Sequence, residues 1–125
     1  MLPLLNGVRV IDFTTVVLGP YAAQMLGDLG AEVIKVEPLA GDVFRAVRPG
    51  HHAEMGAGYL NLNRNKRSIA IDMRRPEGLA AIDRLVASAD LVIHNMRAAS
   101  AERLGIGFER LKGVNPRLAY CFTAG

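Results

Sequence analysis

The chain has 125 residues, half of them hydrophobic and 22% charged, which is enough for one compact domain with a real core and is not the composition of a disordered chain. Fifteen Lys and Arg against twelve Asp and Glu leave a formal charge of +3; this mild basic bias suits a small anionic ligand and is too weak to argue for nucleic acid, and the few aromatics include no Trp for base stacking. Cys121 is the single cysteine, so an internal disulfide is excluded and a reducing compartment is expected. Its apolar surroundings, "LAYCFTAG", read as core. The N-terminus lacks a charged n-region and a cleavage site, and no apolar run approaches the ~18 residues of a membrane span. The expected location is the cytoplasm, with no membrane and no nucleic-acid partner.

"RVIDFT" (9–14) predicts a first strand, introduced by the turn pair Asn6-Gly7. "GPYAAQMLGDLG" (19–30) changes period: Ala22, Met25, Leu26 and Leu29 fall on one helical face. Gly19 is read as the N-cap, Pro20 as the first helical residue and Gly30 as the residue just past the end. "EVIKVE" (32–37) predicts a second strand, parallel to the first across a βαβ crossover. Residues 38–58, rich in Gly, Pro and charge, read as a long, partly mobile loop. "SIAIDM" (68–73) predicts a third, buried strand. "PEGLAAIDRLVASAD" (76–90) predicts a helix with Leu79, Ile82, Leu85, Val86 and Ala89 inward. "LVIHN" (91–95) is a fourth strand, "AASAERLG" and "GFERLKGVN" are two short helices, and "RLAYCFTAG" (117–125) is a fifth strand. The sum is an α/β domain: a parallel, Rossmann-like sheet with helices on both faces.

Ligands of such sheets bind outside the carboxyl ends of the strands, so the segments after each strand matter most. The helix start after strand one suits an anion, or is an ordinary tight turn. Glu37, closing strand two, stands where dinucleotide folds keep a ribose-binding acid, but G-x-G-x-x-G is missing, which argues against NAD. After strand four, Asn95, Arg97 and Arg103 have the chemistry to hold phosphates; the alternative is a solvated loop and surface helix. His94 has no second ligand at metal spacing and reads as a strand histidine. The stretch "LNLNRNKRSIAIDM" (60–73) carries Arg64, Lys66 and Arg67 at the start of strand three, the pole opposite the strand carboxyl ends. A ligand role there requires the 38–58 loop to fold over. The favoured reading is a structural or dimer-contact role for Lys66 and Arg67, with Arg64 the most exposed of the three.

Several blocks, in order, resemble one family. These are "LLNGVRVIDFT", "GPYAAQMLGDLGAEVIKVEP", "NRNKRSIAIDMRRPEG", "ADLVIHNMR", "RLGIGFERL" and "NPRLAY". They are similar to the N-terminal part of the class III CoA-transferases, the CaiB/BaiF family of formyl-CoA transferases, carnitine CoA-transferases and alpha-methylacyl-CoA racemases, over essentially the whole chain. The resemblance implies that residues 1–125 are a CoA-binding Rossmann-like domain, truncated relative to the family. It implies a homodimer of interlocked chains. It also implies coenzyme A or acyl-CoA as substrate, with no permanently bound cofactor and a carboxylic acid as the other substrate. Carried over position by position, the CoA-contacting residues are Ile71, Asp72, Met73 and Arg74 after strand three, Asn95, Met96 and Arg97 after strand four, and Arg103.

Two departures stand out. Pro38 replaces an arginine common in the family, and Val17 replaces the glutamine of formyl-CoA transferases, which argues against oxalate and formate and leaves a more apolar acyl site. The family's catalytic aspartate matches none of Asp12, Asp28, Asp42, Asp72, Asp83 or Asp90. The resemblance therefore implies CoA transfer by a complete enzyme and an isolated chain without the nucleophile. Acyl-CoA racemisation, or a CoA-binding fragment without chemistry, are the rival readings.

Overall fold

The computed structural model describes residues 2–124. Five parallel strands form one sheet in the order β3-β2-β1-β4-β5. They are β1 (Arg9–Asp12), β2 (Glu32–Glu37), β3 (Lys66–Ala70), β4 (Leu91–His94) and β5 (Ala119–Phe122). The order reverses between β1 and β4, where Ile11 lies opposite Val92. Five helices connect them: α1 (Leu18–Asp28), α2 (Ala57–Leu62), α3 (Pro76–Ala87), α4 (Ala98–Arg103) and α5 (Phe108–Val114). The expected doubly wound α/β sheet is present. Gly125, the last residue of the predicted fifth strand, lies outside the described residues.

Alternation along the strands builds two cores. Ile11, Phe13, Ile34, Val36 and Val92 point to one face, where they meet Ile82, Val86, Ala101 and Leu111 of α3, α4 and α5. Val10, Val33 and Ile93 point to the other, against Ala23 of α1. Cys121 is half-buried beside this second cluster and is a free thiol. The α3 face reads as the period predicts, with Ile82 and Val86 fully buried.

Helix α1 departs from the expectation in two ways. It begins at Leu18, with Val17 as its N-cap, so Gly19 and Pro20 lie inside its first turn. Gly19 is needed for another reason: a Cβ there would collide with the Thr14 side chain, because the loop folds back on its own helix. The buried face also carries the small residues Gly19, Ala23 and Gly27, with Gln24, while Met25 is half exposed. Close approach to the sheet selects size over hydrophobicity. Gly30 ends the helix as expected, at φ +101°, with Ala31 N–H bonded to Leu26 O and Gly30 N–H to Gly27 O, the paired pattern of a Schellman stop.

The segment 38–58 has more structure than its composition suggests. It contains a 3-10 turn at Val43–Ala46 and runs into α2. Glu37 anchors it. Its carboxylate accepts from Arg45 Nε (2.8 Å) and Nη2 (2.9 Å), from the Tyr59 hydroxyl and from Asp42 N–H (3.2 Å). Arg45 also stacks over the Tyr59 ring.

Strand β3 starts two residues earlier than predicted and is an edge strand, not a buried one. Arg67, Ser68, Ile69 and Ala70 are exposed, because β2 is its only strand neighbour. Asn65, in the left-handed region at φ +62°, turns the chain into it. Among the described residues no helix is long and apolar enough to cross a membrane.

Candidate functional site

The α1 face of the sheet changes character along the strands. It begins with Val10, Val33 and Ile93 and ends, two to four residues on, with Asp12, Lys35 and Glu37, all buried. Lys66 joins them from the edge strand. Its ammonium sits 2.8 Å from Asp12 Oδ2, 2.9 Å from Pro20 O and 2.8 Å from Asn63 Oδ1, and its side chain is 2% exposed. Burial pulls the Lys66 pKa below its ordinary value, and Asp12 works against that pull. The remaining oxygen of Asp12 accepts from the Thr14 N–H (2.8 Å) and hydroxyl. Lys35 pairs with Asp42, Nζ to Oδ2 at 3.0 Å, and both side chains are within 1% of complete burial. That contact is an ion pair without hydrogen-bond geometry: Asp42 Oδ2 has no hydrogen-bond donor.

These groups grip the loop that follows β1. Lys35 Nζ donates to Thr14 O (2.7 Å). Asn95, just past β4, accepts from Thr15 N–H (3.1 Å) and donates to Thr15 O (2.9 Å). Asp42 Oδ1 accepts from Val16 N–H at 3.4 Å and from Phe44 N–H at 2.9 Å. Val16 is held at φ +72°. For a β-branched residue this conformation costs about 1–2 kcal/mol and persists only where the surroundings enforce it.

A cleft of 520 Å³ lies at the carboxyl edge of the sheet, bounded by Thr15 after β1, Pro38–Ala40 after β2, Ile71–Arg74 after β3, Met96 after β4, and Leu104. Larger hollows of 670 and 530 Å³ sit at the opposite pole, around Arg9 and Glu32 and around Met25 and Arg64, away from every strand carboxyl end. Of the residues picked out in the sequence, Ile71, Asp72, Met73, Arg74 and Met96 line the cleft. Asn95 does not: its amide is turned onto Thr15. Arg97 caps α4 and Arg103 lies in its last turn; both are exposed, and Arg103 donates to Ser100 Oγ (3.1 Å). Each follows or precedes a cleft residue in sequence, Met96 and Leu104, but neither Arg97 nor Arg103 lines the cleft itself. Arg74 pairs with Asp72 at 3.0 Å, and that hydrogen bond holds the Asp72 carboxyl below the usual range.

His94 closes β4 beneath the cleft and is buried. Nδ1 accepts from Met96 N–H (3.1 Å), so in the neutral ring Nε2 carries the proton and donates to the Tyr120 oxygen (2.9 Å). The Tyr120 hydroxyl in turn donates to Ile106 O (2.7 Å). Burial lowers the His94 pKa and raises that of Tyr120.

The cations around the start of β3 each have a carboxylate from the chain itself. Lys66 has Asp12, Arg64 has Asp28 (2.7 Å) and Arg67 has Glu32 (3.0 Å). Gln24, with its amide oriented to suit its neighbours, also accepts from Arg64. The expected order of exposure is wrong: Arg67 is the most exposed side chain at 77%, Arg64 follows at 55%, and Lys66 is buried. The sequence reading also missed Lys35 and Asp42. For Lys35 the available signal was a charged residue inside the strand run "EVIKVE", as Asp12 is inside "RVIDF"; Asp42, in the loop after β2, had none.

A cleft across the switch point of an alternating parallel sheet is the place where α/β proteins bind ligands. The profile of CoA-transferase family III matches residues 5–125, and the chain belongs to that family. Succinate–glutarate CoA-transferase from Agrobacterium fabrum is 44% identical over 98% of this chain and 32% of that protein. Succinyl-CoA:glutarate CoA-transferase from Homo sapiens is 41% identical over 97% of this chain and 28% of that protein. A solved CaiB/BaiF family protein from Brucella suis superposes with a TM-score of 0.91 at 39% identity, covering 98% of this chain and 33% of that one. The chain thus spans about a third of the length of these relatives.

Proposed function

We propose that the protein moves CoA between an acyl-CoA and a carboxylic acid, and that this chain supplies the CoA-binding part. The observation that carries the proposal is the cleft at the carboxyl edge, lined by Ile71–Arg74 and Met96, with Arg97 and Arg103 exposed at the two ends of α4, the helix that follows Met96. Coenzyme A carries a pyrophosphate and a 3′-phosphate; Arg74 at the cleft and the exposed Arg97 and Arg103 of the following segment are the guanidiniums that suit them. Arg74 would exchange Asp72 for a phosphate. Asn95 acts through Thr15, not on the ligand. CoA enters as a substrate and no resident cofactor is required. The names of the relatives support succinyl-CoA as donor and a short dicarboxylic acid as acceptor.

Covalent transfer through an aspartate would split the exchange into two easier steps. All six aspartates here are already engaged: Asp12 by Lys66, Asp28 by Arg64, Asp42 by Lys35, Asp72 by Arg74, Asp83 by Arg110, and Asp90 by the Arg9 N–H. This supports a nucleophile from outside the 125 residues and no turnover by them alone. A cytoplasmic homodimer is part of the same reading. The test is thioester exchange from succinyl-CoA to glutarate by the complete natural polypeptide, with calorimetric titration of CoA. Arg103→Ala should lose about 1–3 kcal/mol of CoA affinity, as for a charge-assisted hydrogen bond. Equal wild-type affinity for CoA and dephospho-CoA would remove the 3′-phosphate assignment, and transfer by the 125 residues alone would remove the outside nucleophile.

A further inference from the structure

Three consecutive residues of the loop after β1 are held by side chains from three other places in the chain. The Thr14 carbonyl is held by Lys35 of β2, both polar groups of the Thr15 backbone by Asn95 after β4, and the Val16 N–H by Asp42. Lys35 and Asp42 are buried, and they also pair with each other. None of these contacts is required to close the sheet, whose strands pair through their own backbones. What they share is the loop, and Thr15 at its centre is a wall of the cleft. The loop is also the place where a β-branched residue sits in the left-handed region. A chain left to itself would relax Val16 to negative φ and move Thr15 with it.

We propose that Lys35, Asp42 and Asn95 are positioning residues that fix the Thr14–Val16 loop, and with it the Thr15 wall of the cleft, before the ligand arrives. The proposal rests on the cleft being the CoA site. Binding to a rigid wall avoids the ordering loss that a mobile loop would impose, so the device acts on affinity through preorganisation. It is separable from fold stability, because Val16→Gly frees the loop while leaving every buried side chain in place: glycine adopts positive and negative φ alike.

The experiment uses the complete natural polypeptide and three variants: Val16→Gly, Asn95→Ala, and the double variant Lys35→Met with Asp42→Asn. The double variant removes the charge pair together and keeps an acceptor for the Val16 and Phe44 N–H groups. Hydrogen exchange reads the Thr15 and Val16 amides without ligand, calorimetry reads CoA binding, and melting reads the fold. The expected result for Val16→Gly is an unchanged or higher melting temperature, loop amides exchanging at least tenfold faster, and CoA affinity about tenfold weaker with a more unfavourable entropy. The other two variants should show the same loosening and the same loss of affinity, with CoA restoring protection to the loop amides. Wild-type CoA binding with loosened variants that bind equally well would overturn the inference and leave the functional reading intact. So would loop amides in Val16→Gly that exchange at the wild-type rate. A wild type that does not bind CoA would overturn both.

Discussion

Replacing Lys66 by methionine tests what the cations at the start of β3 are for. Methionine keeps the buried stem and removes three donor contacts, to Asp12, Pro20 O and Asn63. Asp12 is then left at 0% exposure with only Thr14 as a donor. Breaking one partner of a buried ion pair costs about 3–5 kcal/mol, because the remaining charge is buried without compensation. A domain with a total stability of about 5–15 kcal/mol has little margin for that. The double variant Lys66→Met with Asp12→Asn should recover most of the loss, since an asparagine oxygen still accepts from Thr14 and no charge remains. Urea denaturation of the single and double variants measures both quantities, and CoA titration runs in parallel. A Lys66→Met protein that loses less than about 1 kcal/mol of stability yet binds CoA tenfold more weakly would refute the structural reading and return Lys66 to the ligand.

Two more outcomes follow from buried titratable groups. Glu37→Gln should cost about 2–3 kcal/mol and expose residues 38–58 to limited proteolysis, because Arg45 and Tyr59 lose the charged acceptor that ties them to the sheet. Burial opposes the Glu37 charge, but the hydrogen bonds from Arg45 and Tyr59 outweigh it and hold the folded pKa below 4.5. The stabilisation is therefore present above pH 4.5 and fades as pH falls through the folded value. His94 has the opposite chemistry and the same acid sensitivity. Its folded pKa lies below 6.5, so the unfolded chain takes up the proton first, and stability falls as pH drops from 6.5 toward the folded value. Denaturation midpoints at pH 7.5 and pH 5.5 should differ less in His94→Gln than in the wild type.

The parts of the fold that were legible in the sequence are those with short-range causes. The alternation in "EVIKVE", the 3.6-residue period of α3 and the Gly30 stop each involve neighbours along the chain. Met25 shows the limit of periodicity: the rule put the bulky residues of α1 inward, whereas the helix comes close enough to the sheet to admit Ala23 and Gly27. At the site, Ile71–Arg74 and Met96 lie at the cleft where the strand-end rule and the family resemblance both put them. Asn95 was picked out for its amide chemistry, and in the structure that amide is bonded to the Thr15 backbone, since its pattern fits a peptide unit as well as a ligand. Glu37 was noticed as an acid at a strand end, but its role depends on Arg45, which the sequence reading left in the long 38–58 loop, and on Tyr59 just past it. Lys66 was the least legible, because its partner Asp12 is 54 residues away and becomes a neighbour only through the sheet order.

The pairing of Lys66 with Asp12 also has a consequence for the alignment of β3. In parallel pairing Lys66 lies opposite Val33, and Ser68 opposite Lys35. A slip by one residue would turn the ammonium to the other face of the sheet and bring Arg67 inward, where its longer, branched head has no space prepared among Asp12, Pro20 and Asn63. A slip by two would keep the correct face but put Ser68 beneath Asp12, leaving that carboxylate without a counter-charge. An edge strand with five residues and one neighbour has few contacts with which to choose among these alignments. The buried ammonium makes the choice discrete: only one alignment neutralises Asp12, so the strand is either seated correctly or not seated at all.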